Sequence, residues 1–317
     1  MERKLIQLAK KTLVVSIPNE IVKKFNLSKK DVVNVNESGE NIVIKPSSKP
    51  QKKKITLDIK DMNKKLIKDL LLFSNTLGYD EITISYDEHT DLSFIEELTN
   101  QIEGIAVMKQ TKNSSTFKHI SKESATQFDE ILERAFDVTN SLAENTLEII
   151  KKGKYKNLKN LLPLEYSNNK LTSYCSRILL RGDYSEPSKI PFLFTINWNL
   201  EIIADFYRRI CYDLATNNKK NKKLSPDTIE CIEKLNELFL MYYNLFKKLN
   251  TKGIIDSFNL KNKLGDLVEK IFDEKKGIDV YVAHYVIDIA TFIQDSISLL
   301  LAVNKLDDGT GFEAKKN

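Results

Sequence analysis

From Ser124 to Val303 the chain repeats apolar residues at helical spacing almost without a break, and this pattern restricts the fold more than any other feature. Phe128, Ile131, Leu132, Ala135, Phe136, Leu142, Ala143, Leu147 and Ile150 form one broad stripe that needs a facing partner. Further helices are expected over 158–180, 196–216, 226–250, 254–274 and 278–303. The breaks are Gly153, the GDYSEPSKIP stretch (182–191), the NNKKNKKLSPD loop (217–227), Gly253 and Gly277. Six long helices with short connections imply a bundle of two three-helix halves, joined by the 217–227 loop. At 317 residues the chain is about twice a typical domain, so more domains should precede the bundle.

Other classes are disfavoured. Only 10 Gly and 7 Pro leave little room for a turn-dense β sandwich. No unbroken apolar run approaches the ~20 residues of a membrane span, the longest lying near Ile297 to Val303, so no membrane insertion is expected. The first residues, MERKLIQLAKK, lack the apolar core of a signal peptide. Cys175, Cys211 and Cys231 are odd in number and widely spaced, which reads as buried thiols of a reducing compartment. These features point to a cytoplasmic protein.

The net charge of +5 hides a division. Residues 1–54 carry thirteen Lys and Arg against five acids, a net of +8, while the remainder holds 36 basic and 39 acidic residues, a net of −3. A basic module on a mildly acidic body suits a polyanion, because counterion release scales with clustered cations. Within that module, RKLIQLA (3–9) and TLVVSI (12–17) read as strands around a Lys10-Lys11 turn. Pro18 then opens a short helix containing Ile21, Val22 and Phe25, which Asn26 can end in a left-handed conformation. DVVNV (31–35) and IVI (42–44) form a hairpin with Gly39 at its tip. About 45 residues bury too little core alone, so the module should dimerise.

The line LAKKTLVVSIPNEIVKKFNLSKKDVVNV…IVIKP resembles the SpoVT/AbrB-type swapped-hairpin DNA-binding domain over residues 3–46. Asn26 stands where that family usually has Gly, and Lys30 replaces the Gly before Asp31. The resemblance implies that two chains interleave hairpins and present Arg3, Lys4, Lys10 and Lys11 to DNA, with Thr12 and Ser16 as phosphate donors. The following segment, Pro46 to Lys54, reads as a basic linker that either follows the DNA backbone or separates two domains.

The next segment alternates strands and helices. Strands are expected at 54–59, 81–86, 104–110 and 115–120, with helices from Asn63 to Leu77 and Leu92 to Gln101. It has no glycine-rich phosphate loop, and His89 and His119 read as surface residues.

In the helical region, Glu201 and Asp205 stand four apart and project from one helix face. Two carboxylates together want a cation, and spacing alone favours ion pairs with Arg208 and Arg209 over a metal. LEIIAD (200–205) resembles the acidic motif of PhoU-type proteins, which are built from two three-helix repeats. That resemblance implies that Glu165, Glu201 and Asp205 could hold a divalent or iron-type metal. VAHYVIDIATFIQDS (282–296) then places His284 and Asp288 at the matching positions of the second half, with Asn262 and Asp266 opposite. His284 either ligates metal with Asp288 or is a helix histidine paired with a nearby Asp or Tyr. Asn169 stands where the PhoU pattern has Asp, and Trp198, Tyr174 and Tyr212 read as core aromatics.

The sequence is therefore read as a multidomain α+β chain. A swapped-hairpin domain occupies 1–46, a basic linker 47–54 and a small α/β domain 55–120; a PhoU-like bundle fills 121–305, with a disordered tail at 306–317. The order resembles archaeal PhoU-like phosphate uptake regulators. This implies a homodimeric, DNA-binding transcription regulator that senses phosphate status through bound metal or a partner protein. The alternative is an adaptor that docks on a phosphate transporter or sensor kinase, its N-terminal module only dimerising. No Ser-His-Asp order, Cys-His pair, P-loop or HExxH points to an enzyme.

Overall fold

The computed structural model describes residues 2–38, 41–46, 52–87, 92–100, 102, 104–120, 127–217 and 223–304. The expected hairpin tip at Gly39, residues 47–51 of the linker, His89, residues 218–222 of the 217–227 loop and the 306–317 tail lie outside them. The chain divides into two compact units, Met1–Lys53 and Lys54–Asn317.

The first unit holds two separate antiparallel hairpins around a short helix. Strands β1 (Ile6–Ala9) and β2 (Thr12–Val14) form one, and β3 (Val33–Ser38) and β4 (Asn41–Pro46) the other. Helix α1 (Asn19–Lys24) lies between them in sequence. Pro18 sets its entry with φ −59°, and its carbonyl accepts from Ile21 and Val22. At the exit Asn26 adopts φ 49°, while Leu27 N–H donates to Val22 O at 2.9 Å and Asn26 N–H to Lys23 O at 3.2 Å. This is the two-bond left-handed cap that glycine usually makes, here made by asparagine.

The β3–β4 register pairs Val35 with Ile44 and Glu37 with Ile42, so Val33, Val35, Ile42 and Ile44 share one hairpin face. Val35 is 60% exposed and Ile42 78%. Leu5, Ile6, Leu8, Leu13, Ile21 and Phe25 are exposed as well, and none of the unit's described residues is buried.

The second unit begins with a small α/β layer. In chain order it contains β5 (Lys54–Asp58), α2 (Lys64–Thr76), β6 (Glu81–Ser85), α3 (Leu92–Asn100), β7 (Ile105–Gln110) and β8 (Ser114–His119). The sheet order is β5-β6-β8-β7, with β5 parallel to β6 and the remaining pairs antiparallel. Ile82, Ile84 and Phe117 bury one sheet face against Ile67 and Leu71 of α2 and Ile95 of α3. Asn63 caps α2 by accepting from Leu66 N–H at 2.9 Å, and Gly78 leaves it at φ 85°.

Among the described residues, the rest of the unit contains six long helices: α4 (Phe128–Lys151), α5 (Leu162–Leu180), α6 (Ile190–Tyr212), α7 (Pro226–Lys247), α8 (Thr251–Glu274) and α9 (Ile278–Val303). Helices α4, α5 and α6 pack on one another, as do α7, α8 and α9; α4 against α7 and α6 against α9 join the two groups. One continuous core runs through both, including Phe136, Ile178, Leu200, Tyr207, Phe239 and Ile293. All three cysteines are free and buried.

Several expectations need correction. Helix α5 begins at Leu162 and not at 158, and α6 at Ile190 and not at 196; Pro163 and Pro191 each sit in the first turn, where the missing N–H costs nothing. Gly253 is no break: the chain turns at Asn250, whose side chain accepts from Gly253 N–H at 2.8 Å and starts α8. Tyr174 is buried, but Trp198 is 42% and Tyr212 51% exposed. Trp198 stacks on the outside between Phe73 of α2 and Phe194 of α6. His119 is half-buried, its Nδ1 3.2 Å from Asn75 Oδ1.

Helix α9 is long and apolar enough to cross a membrane by length and composition. Isolated polar residues such as Asp288, Gln294 and Asp295 break it into shorter apolar runs, so no unbroken apolar run of that length occurs in it. Val282, Val286, Ile289, Ile293 and Ile297 along its length are buried in the body core.

Candidate functional site

The six residues expected to meet DNA are all exposed, and all belong to the β1–β2 hairpin or its flanks. Lys10 and Lys11 form the turn and Thr12 begins β2. Arg3 and Lys4 precede β1, and Ser16 follows β2, at the hairpin's open end. Extended backbone separates these two groups by about 20 Å. The hairpin therefore carries a cationic tip and a cationic base. Among the described residues, none of Arg3, Lys4, Lys10 and Lys11 forms an ion pair, so their charge faces solvent.

The second candidate lies where α5 meets α6. Glu165 is 4% exposed in the first turn of α5. Its Oε1 accepts from Asn169 Nδ2 at 2.7 Å, and Arg208 Nε approaches the same oxygen at 3.5 Å. Arg208 Nε also donates to Asp205 Oδ1 at 2.9 Å, while Arg209 Nε donates to Asp205 Oδ2 at 3.0 Å. The ion pairs expected from helix spacing are thus present, and Arg208 extends them across to the next helix.

Two buried oxygens here, Glu165 Oε2 and Asn169 Oδ1, have no hydrogen-bond partner among the described residues. Burial raises the Glu165 carboxyl above the ordinary carboxylate range, against the Asn169 hydrogen bond and the Arg208 charge. Burial also pushes Glu201 up to about 7, with repulsion from Asp205 and Glu165 adding to it. Lys68 of α2 is close enough to act on Glu165, so the α/β layer contributes to the same field.

His284 and Asp288 lie elsewhere, on α9. The imidazole Nε2 is 3.6 Å from Asp288 Oδ2, and His284 is 65% exposed. Asn262 and Asp266 are exposed on α8, and among the described residues neither is joined to that pair by a hydrogen bond or ion pair. No group of three or more His, Cys, Asp or Glu able to hold a metal occurs among the described residues. Asp205 already uses both oxygens on arginines, and Asn169 turns its amide nitrogen, a donor, toward Glu165. The residues of the α5–α6 cluster do not fit a multinuclear metal centre.

Residues 6–52 match the family model described as antidote-toxin recognition MazE, bacterial antitoxin. The N-terminal unit is an AbrB/MazE-type module. No curated protein and no solved structure matches the chain.

The AbrB/MazE-type module accounts for the basic hairpin. The helical body holds a polar feature that sequence reading missed. Arg177 of α5 is completely buried, donating through Nη1 to Tyr79 O at 2.9 Å and Asn75 O at 2.5 Å. Its Nη2 donates to Asp80 Oδ1 at 3.0 Å, an oxygen that Arg181 Nη1 also reaches at 2.8 Å. These contacts fasten the α/β layer to the body. The only sequence signal was an arginine on an otherwise apolar stripe, SRILL.

The Glu201 shift has a measurable consequence. A glutamate bound more tightly to its proton in the folded chain gives full stability below about pH 4.5, and that contribution disappears as pH rises through about 7. Discounted for partial exposure, the change amounts to about 1–2 kcal/mol. Glu201→Gln should therefore flatten the pH dependence of urea unfolding between those values and stabilise the chain on the alkaline side. An unaltered pH profile would show that Glu201 titrates normally.

Proposed function

We propose that this chain is a homodimeric, non-enzymatic DNA-binding regulator of phosphate uptake. The supporting observation is the AbrB/MazE-type module itself: a cationic hairpin in a unit that buries nothing of its own. Modules of this kind dimerise and bind DNA. A second copy would cover the apolar face of Val35, Ile42 and Ile44, and would double the number of basic hairpins offered to one duplex.

The assignment to phosphate rests on the PhoU-like acidic motif LEIIAD on α6 and on a body of two packed three-helix groups. In this reading the body receives phosphate status from a partner protein, a transporter or a sensor kinase, and alters the DNA affinity of the head.

Sedimentation equilibrium of the full chain, with fluorescence anisotropy on promoter DNA of a phosphate-transport operon at two salt concentrations, tests the proposal. A dimer whose DNA affinity falls steeply with salt is the expected result. A dimer without DNA affinity at low salt would make the chain an adaptor, and a monomer would defeat both readings.

A further inference from the structure

We propose that Arg208 is the built-in cation of the α5–α6 carboxylate cluster, standing where acidic bundle motifs of the PhoU kind would place a metal ion. The inference concerns the helical body alone and holds whether or not the head binds DNA.

Three observations converge on it. The first is position. Arg208 Nε lies 2.9 Å from Asp205 on its own helix and 3.5 Å from Glu165 on the neighbouring one, so a single positive group joins carboxylates of two helices. The second is saturation. Asp205 accepts from Arg208 on one oxygen and from Arg209 on the other, leaving neither turned toward an incoming ion. The third is the ligand set. Asn169 supplies an amide, not a carboxylate, and points its nitrogen at Glu165 Oε1, at 2.7 Å.

A guanidinium suits this place. It is planar, stays charged when half-buried, and can address two carboxylates from one side chain. Being covalently attached, it cannot dissociate, so the two helices are held together at any metal concentration.

The cluster nevertheless keeps the makings of a cation site. Glu165 Oε2 and Asn169 Oδ1 are buried oxygens without partners among the described residues, and Glu201 lies in the same electrostatic field. With the guanidinium gone, Glu165, Glu201, Asp205 and Asn169 would be an oxygen-rich set of the kind that takes manganese or magnesium.

The test is thermal unfolding of the full chain, together with calorimetric titration using MnCl2. The parent chain should show no stoichiometric heat, and its Tm should be the same in EDTA and in millimolar manganese. Arg208→Gln should unfold at lower temperature, and manganese at about a hundredfold excess over its Kd should raise the Tm of that variant by roughly 5 °C. Arg208→Lys keeps a charge but lacks the fork; it should sit between the two and respond less to manganese.

One-to-one manganese binding by the parent, abolished by Glu165→Gln, would overturn the assignment. So would an Arg208→Gln chain of unchanged Tm. If Arg208→Gln fails to fold, the parent titration decides by itself.

Discussion

Asp80→Ala should destabilise the second unit by about 3–5 kcal/mol, read as a shift in the urea midpoint with little change in slope. The reason is the state in which it leaves Arg177. That side chain is completely buried, and Asp80 brings a carboxylate oxygen to within 3.0 Å of its Nη2, beside the neutral carbonyls of Asn75 and Tyr79. Without that carboxylate, a guanidinium in the interior loses a charged partner. Arg181 suffers less, because it also pairs with Asp183 at 3.1 Å and is partly solvated.

The same reasoning predicts that removing both charges costs less than removing one. Arg177→Met with Asp80→Asn replaces the ion pair by packing and a neutral amide, and should recover much of the loss seen in Asp80→Ala. A double variant that is less stable than Asp80→Ala would show that the carbonyl contacts of Arg177, not its charge balance, hold the seam.

Lys10→Glu with Lys11→Glu should reduce DNA affinity by on the order of 10³ at moderate salt while leaving unfolding within about 0.5 kcal/mol of the parent. Both lysines are exposed in a turn and make no ion pair among the described residues, so their replacement disturbs no packing. In a dimer, four cations at the hairpin tips become four anions. The slope of log affinity against log salt should fall by about 3–4, while dimerisation persists. Affinity and slope equal to those of the parent would place the DNA surface elsewhere on the module, for instance at Arg3 and Lys4 beyond its open end.

These residues also show where sequence reading succeeds and where it stops. Strands and helices of the α/β layer were legible because each carries its own signal. Asn63 caps α2, Gly78 ends it, and Ile82 and Ile84 alternate inward along β6. Asn26 was legible as a left-handed residue for the same local reason. Arg208 and Arg209 could be paired with Asp205 because three and four residues along a helix return to one face.

Contacts between elements left no such trace. That Arg208 also reaches Glu165, 43 positions earlier in the chain, depends on how α5 lies against α6. That Trp198 faces outward depends on the Phe73 side chain arriving from α2. Arg177 was passed over because a charged residue on an apolar stripe reads as an interruption until its carboxylate, 97 positions away, is seen beside it.

Among the described residues, the N-terminal hairpins bury no side chain of their own. In the proposed dimer a second chain covers their apolar faces, so forming this head is a bimolecular event, whereas the second unit has its core within one chain. Protein abundance thereby enters the binding curve twice, once in assembling the reader and once in filling its DNA sites. At low copy number the response to added protein would rise more steeply than first order, giving a threshold that owes nothing to any effector.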